Sequence, residues 1–133
     1  MARNAAVAFE WGDGHYNFRL SLGDIRDLQE KCDAGPAFIM GRLADGSWRV
    51  DDIYQTIRIG LIGGGLTPVK ALGLAQKYVA ARPLLENIMT AQLILQAALA
   101  GVEDEPLGKD QVAERPANPT SQEASSASPP STE

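Results

Sequence analysis

Three consecutive glycines at residues 63–65 place the strongest constraint on how this chain folds. In the segment before them, apolar residues recur at helical spacing: Val50, Ile53, Ile57 and Leu61. The pattern predicts an amphipathic helix from Val50 to about Ile62, which stops at the glycines and is followed by a turn between helices. Trp48, just before the helix, is expected to pack inward beside Val50 and Ile53.

The glycines lack the sequence context of a phosphate-binding loop. Gly-Lys-Ser/Thr does not follow them, and no strand pattern precedes them. A nucleotide-binding protein or hydrolase is therefore the least favoured function. Instead, Thr67 is placed to cap the next helix, with Pro68 at its first position.

A β-hairpin is predicted upstream, because apolar and polar residues alternate on both sides of a Gly-Asp-Gly-His turn at residues 12–15. A two-residue type I′ turn at Asp13 and Gly14 sets three apolar pairs: Trp11 with Tyr16, Phe9 with Phe18, and Val7 with Leu20. One face of the hairpin is then apolar and must be covered by helices. On the other face, Glu10 is expected to lie diagonal to Arg19.

Two helices are predicted between the hairpin and residue 49. The first follows Ser21 and Asp24, which form a capping-box pattern, and the second spans residues 37–44. The apolar stripe of the first helix is Leu22, Ile25, Leu28 and Cys32.

Two further helices are predicted after the glycines. One spans residues 68–82, with its apolar stripe at Val69, Leu72, Ala75 and Val79. The other runs from Pro83 to about Ala100, and Glu86 is its only charged residue. So apolar a helix should be buried, either by its own domain or by a partner.

The last part of the chain has a different composition. Residues 1–101 hold ten acidic and ten basic side chains, so the formal net charge of −5 resides in residues 102–133. That segment is rich in Pro, Ser and Glu and poor in large apolar residues, which predicts disorder. We therefore expect an α+β domain at residues 1–101, with an N-terminal β-hairpin and a small bundle of four to five α-helices, and a disordered acidic tail at 102–133.

The sequence has no grouping typical of catalysis or of a metal site. His15 is the only histidine and Cys32 the only cysteine, and the adjacent Asp51 and Asp52 point about 100° apart on a helix. We predict no enzymatic activity and no cofactor. The balanced charge of the domain gives no basic face for nucleic acid, and no stretch is long and apolar enough for a membrane span or a signal peptide. A cytoplasmic location is expected.

Four segments occur in a distinctive order. They are Leu-Ser-Leu-Gly-Asp-Ile at 20–25, Trp-Arg-Val-Asp-Asp-Ile at 48–53, Gly-Leu-Ile-Gly-Gly-Gly at 60–65, and Arg-Pro-Leu at 82–84 before the apolar helix that ends at Gly101. In this order, and after a short hairpin, they resemble the gene transfer agent family of small phage-tail proteins. The resemblance covers about residues 5–101.

This resemblance implies a non-enzymatic role in tail assembly. Proteins of this kind are grouped with tail assembly chaperones, which are thought to coat the tape measure protein and bring tail tube subunits to it; the family is also labelled tail tube protein. One hairpin is little β-structure for a tube, so we favour the chaperone, with the tape measure and tail tube proteins as partners. A structural tail component of the particle is the alternative, and homo-oligomerisation stays open.

Two groups of apolar residues are the candidate partner-binding residues. The hairpin group is Phe9, Trp11, Tyr16 and Phe18, and the group on the last helix is Leu85, Ile88, Leu95 and Leu99. The alternative for both groups is that they form the core.

Overall fold

A computed structural model of the chain describes residues 3–103, and the compact unit spans Arg3–Val102. The α+β prediction is confirmed: a two-stranded antiparallel hairpin is followed by five α-helices. The strands are β1 (Arg3–Asn4), β2 (Ala6–Trp11), β3 (Gly14–Arg19) and β4 (Val102–Glu103). The helices are α1 (Leu22–Cys32), α2 (Pro36–Asp45), α3 (Val50–Gly63), α4 (Pro68–Ala75) and α5 (Ile88–Ala100). From residue 104 onward, the predicted disordered tail lies outside the described residues.

Two short irregular helices join α4 to α5. A π-helical segment, Gln76–Ala80, continues α4, and a 3-10 turn, Leu84–Asn87, leads into α5. Pro83 stands between them and cannot donate a backbone hydrogen bond, which explains why the predicted helix over 68–82 does not run on into the next one.

The hairpin pairs two residues away from the predicted register. Trp11 lies opposite Gly14, Phe9 opposite Tyr16 and Val7 opposite Phe18. The turn is therefore Gly12 and Asp13, and a positive φ of 59° at Gly12 alone fits a type II′ turn rather than the predicted type I′. Because the shift is two residues, every side chain keeps its predicted face. Glu10 lies opposite His15, not diagonal to Arg19.

Helix α3 forms the centre of the domain and packs against β3, α1, α4 and α5. Its side chains Ile53, Ile57 and Leu61 are fully buried, as predicted. Val50 is exposed, however, because it lies in the first turn of the helix, ahead of the core. Trp48 is partly buried and contacts the core.

The end of α3 lies against the outer edge of β3. A Cβ atom added to Gly63 would stand 1.9 Å from the carbonyl oxygen of Arg19, and one added to Gly64 would stand 2.1 Å from that of Asn17. The two backbones therefore approach as closely as Cα–H···O contacts allow. These glycines do more than end the helix, since only residues without a side chain fit between α3 and β3.

A buried ion pair joins α2 to α3. The Arg42 guanidinium donates from Nε to Asp52 Oδ2 at 2.9 Å and from Nη2 to Asp52 Oδ1 at 2.7 Å. Asp52 also accepts the backbone N–H of Arg49 at 2.8 Å and so caps its own helix. Nearby, the buried Cys32 thiol donates to the backbone carbonyl of Asp51 at 3.3 Å.

The helix caps follow the sequence closely. The backbone N–H of Asp24 donates to Ser21 Oγ at 3.2 Å, and the Asp24 carboxylate accepts from the Ser21 backbone, which completes the predicted capping box. Thr67 caps α4 through a bond from the Lys70 backbone at 3.3 Å. In α1, the stripe residues Leu28 and Cys32 are buried, whereas Leu22 is exposed on the first turn.

The predicted apolar stripe of residues 68–82 is confirmed at Ala75 and Val79 and is wrong at Val69 and Leu72. Ala71, Ala75 and Val79 are fully buried, whereas Val69 and Leu72 face outward. Two apolar stripes overlap in this segment, and the one made mostly of alanine packs against the core because small side chains allow α4 to approach α3 closely. The larger residues of the other stripe are left on the surface.

Candidate partner-binding surfaces

The hairpin group forms an aromatic cluster within the core. Phe9 stacks on Phe18 with ring centroids 4.9 Å apart, and Trp11 meets both Tyr16 and Phe18 edge to face. Trp11 and Phe18 are buried, and Phe9 and Tyr16 are partly buried against the same core. Because α5 and α3 cover this face of the hairpin, most of the group is not accessible to a partner.

Asn87, which is 76 residues from Trp11 in sequence, fixes the position of the aromatic cluster through side-chain hydrogen bonds. Its Oδ1 accepts the Trp11 indole N–H at 2.8 Å, and its Nδ2 donates to the Tyr78 carbonyl oxygen at 2.8 Å. The residue five positions after Tyr78 is Pro83, which has no N–H to offer, so the Asn87 amide supplies a donor there. One buried side chain thus ties the hairpin, the π-helical segment and the start of α5 together.

The group on the last helix is divided between core and surface. Leu95 is fully buried, with no exposed surface, and Ile88 is partly buried against the core. Leu85 is 71% exposed and Leu99 is 44% exposed. Of the four residues, only Leu85 and Leu99 are widely open to a partner.

An exposed apolar stripe runs along α5 and the turn before it. It consists of Leu85, Met89 and Leu93, spaced four residues apart on one face, and we call it the α5 stripe. Met89 is 70% exposed. The segment Ile88–Ala100 has no charged residue, so covering Met89 and Leu93 removes no charge of α5 itself from water. The charge beside Leu85, on Glu86, is paired with Arg82. Met89 and Leu93 were not among the residues predicted from sequence, because an apolar helix gives no sign of which side faces out.

A second surface lies between the hairpin turn and α4. It is a groove of about 500 Å³, which we call the α4 groove. Its lining residues are Asp13, Tyr16, Leu66, Val69, Lys70, Gly73, Leu74 and Lys77. The Tyr16 hydroxyl donates to the Asp13 carboxylate, and this bond raises the pKa of Tyr16 above its usual value.

The part of the chain that the structure describes shows none of three specific features: a metal site, a membrane-spanning helix and a reactive cysteine. Within residues 3–103, no three His, Cys, Asp or Glu side chains come together as metal ligands would. None of the helices in that range combines the length and the apolar composition needed to cross a bilayer. Burial raises the pKa of the Cys32 thiol to about 12, so this cysteine is not a nucleophile at neutral pH.

The comparison with known families agrees with the resemblance that the four sequence segments indicated. A family model described as phage tail tube protein, GTA-gp10, matches residues 4–101, which is nearly all of the described chain. Its description favours the structural alternative over the chaperone prediction, which it does not support. No curated protein matches the chain, and no solved structure matches it.

Proposed function

We propose that this chain, which belongs to the phage tail tube protein family GTA-gp10, is a structural component of a phage or gene transfer agent tail. The observation that carries the proposal is the family match over residues 4–101. Such a protein is cytoplasmic while tails are assembled and part of the particle afterwards. Its partners are other tail proteins or further copies of the chain.

The fold favours contacts through helices over contacts through strands. Among the described residues, the longest strands are the two six-residue strands of the hairpin, and β3 already has α3 against its outer edge. A continuous sheet through many subunits needs more strands with open edges than this domain offers. We therefore propose that it docks through helix faces.

The α5 stripe is the helix face best suited to permanent contact. Leu85 and Met89 are at least 70% exposed and Leu93 is 44% exposed, and burial of such apolar surface contributes about 25 cal/mol per Å². Their helix is anchored in the core by Ala91, Ile94 and Leu95 on its opposite side, so the stripe is held rigidly. A rigid apolar face loses little conformational entropy when a partner covers it.

The test is to purify particles and to quantify this chain by mass spectrometry against known tail proteins. A structural component co-sediments with intact tails in many copies. A chaperone of the tape measure protein is instead absent from finished particles and co-purifies with the tape measure protein before assembly. That second result would overturn the proposal and restore the chaperone function.

A pair of variants tests the surface. Met89→Asp is expected to fold normally, since the side chain is exposed, and to fall at least about tenfold in its incorporation into particles, because a carboxylate cannot be buried unpaired in an apolar contact. Leu22→Asp, which adds the same carboxylate at an exposed leucine on the first turn of α1, a different helix, is the control and should incorporate normally. Equal incorporation of both variants would exclude the α5 stripe.

A further inference from the structure

The α4 groove is a separate surface, and we infer that it binds an amphipathic helix of a partner protein, with the apolar side of that helix in the groove and acidic side chains along its flanks. The inference rests on features of this groove alone and does not depend on the α5 stripe or on the proposed function. Three observations carry it: the charge around the groove, its exposed apolar lining, and a glycine that the fold does not require.

The charge around the groove is positive. Residues 66–82 contain three basic residues and no acidic one, in a chain whose formal net charge is −5. Arg82 is engaged by Glu86 at 3.2 Å. Lys70 and Lys77, two helical turns apart, both line the groove, and the Lys77 Nζ lies 5.4 Å from the centre of the Tyr78 ring. Asp13, the acidic residue in the lining, accepts a hydrogen bond from the Tyr16 hydroxyl and keeps its negative charge, so the groove lining carries one net positive charge. Two lysines on one helical face complement acidic side chains that are spaced along a second helix.

The lining between these charges is apolar and open. Val69 is 82% exposed, although it is a large β-branched residue on a helix, and Leu66 and Leu74 are partly buried beside it. The alanine face on the other side of α4 already packs against the core. Val69 therefore has no packing function inside the domain, whereas it is well placed to contact the apolar side of a docked helix.

Gly73 is the most informative residue in the groove. It lies inside α4, where glycine is unfavourable, and a Cβ atom added there would meet nothing within 4 Å. Neither a turn nor a close approach within the domain requires it. An exposed glycine in the lining of a groove allows another backbone to come close, as Gly63 and Gly64 allow for β3.

Gly41 provides a matched comparison. It also lies inside a helix, is exposed, and has no atom within 4 Å of an added Cβ. Both Gly73→Ala and Gly41→Ala should raise the Tm by about 5 °C, because alanine favours the helix. Only Gly73→Ala should weaken helix binding, since its methyl group would hold the partner away from the groove.

The experiment uses the full-length ¹⁵N-labelled chain and a synthetic helical peptide with leucines at positions i, i+4, i+7 and i+11 and glutamates on either side. Peptide addition should shift the amide signals of residues 66–77 and of Asp13 and Tyr16. Replacement of Lys70 and Lys77 by glutamate, or of the peptide glutamates by glutamine, should raise the Kd about tenfold. Gly73→Ala should raise it to a similar extent, whereas Gly41→Ala should leave it unchanged.

Several results would overturn the inference. They are an absence of shifts at millimolar peptide, shifts centred on another surface, and equal peptide binding by Gly73→Ala and the unaltered chain. The same shifts on addition of phosphatidylglycerol vesicles, with none on addition of the peptide, would show a lipid-binding surface instead. None of these measurements uses phage or gene transfer agent particles. The inference can therefore hold or fail whether or not the chain is found in assembled tails.

Discussion

The Arg42 guanidinium neutralises a carboxylate that has no contact with water. Asp52 is fully buried and bonds two nitrogens of Arg42 together with the Arg49 backbone. Removal of one partner from such a pair leaves an uncompensated charge in the interior, which costs far more than the pair itself contributes. The pair therefore fixes how α2 and α3 pack against each other, because a shift between the two helices would separate the charges.

Arg42→Leu is expected to lower the free energy of unfolding by about 3 to 5 kcal/mol, because Asp52 loses both side-chain donors. Arg26→Leu, at an exposed position on α1, is the control and should change it by less than about 0.5 kcal/mol. The free energy of unfolding of both variants is measured by urea denaturation, followed by the fluorescence of Trp11 and Trp48. If the two variants were equally stable, the pair would have no structural importance.

The Cys32 thiol makes stability depend on pH only in the alkaline range. Burial, helped by the carboxylates of Asp52 and Asp51, raises its pKa to about 12 in the folded state, from an ordinary value near 9. Below about pH 9 the thiol is protonated in both states and adds no pH dependence. Above it, the unfolded chain releases the proton first, so the free energy of unfolding falls by up to about 1.4 kcal/mol per pH unit until about pH 12.

Comparison with Cys32→Ala isolates this effect. The stability advantage of the unaltered chain over the variant should shrink by about 1 to 1.4 kcal/mol between about pH 9 and pH 10. Tyrosine and lysine titrations are common to both chains and cancel in the difference. An advantage that stayed constant over this range would mean that the folded and unfolded thiols ionise alike.

Side-chain interactions between residues far apart in the sequence were the least predictable. Ser21 and Thr67 were identified as caps because their partners are three residues away. Arg42 and Asn87 were not identified, since their partners Asp52 and Trp11 are brought close only by the tertiary fold. Neither residue type nor local spacing distinguishes a buried Asn or Arg from an exposed one.

At the scale of elements, the contact between α3 and β3 depends on two missing side chains. Gly63→Ala should destabilise the domain by about 3 kcal/mol or more, since its Cβ would overlap the Arg19 carbonyl unless the hairpin moved away from α3. Gly41→Ala is the matched control and is expected to stabilise the domain rather than destabilise it. Thermal unfolding of the two variants tests the prediction, and a Gly63→Ala chain as stable as the unaltered one would show that the close approach is not required.

The elements themselves were predictable where one strong local pattern was present. The α3 helix and its end at the glycines, the caps of α1 and α4, and the faces of the hairpin all follow from spacing and turn residues. The hairpin register was not predictable, because Gly12-Asp13 and Asp13-Gly14 both make acceptable two-residue turns. The outward face of α4 was misassigned, because its buried alanines are less hydrophobic than the exposed Val69 and Leu72.

At the scale of the whole molecule, the core that the described residues form lies between Val7 and Ala98. We therefore predict that a chain ending at residue 103 folds alone and keeps its Tm within about 1 °C of the full-length value, since no core side chain is removed. Differential scanning calorimetry of both chains is the measurement. A clear drop in Tm would mean that residues 104–133 contribute to stability and that the domain does not end where the sequence composition changes.

The closed edge of β3 limits how the hairpin can pair with a strand of another molecule. A hairpin with two open edges can add neighbour to neighbour by strand pairing without limit, which is how fibrous aggregates grow. Here α3 covers one edge with glycine backbone, so strand addition could proceed from one side at most and would stop after a single pairing. The two glycines thus stop sheet growth at a single pair of molecules, so the protein would not polymerise through its hairpin even at high concentration.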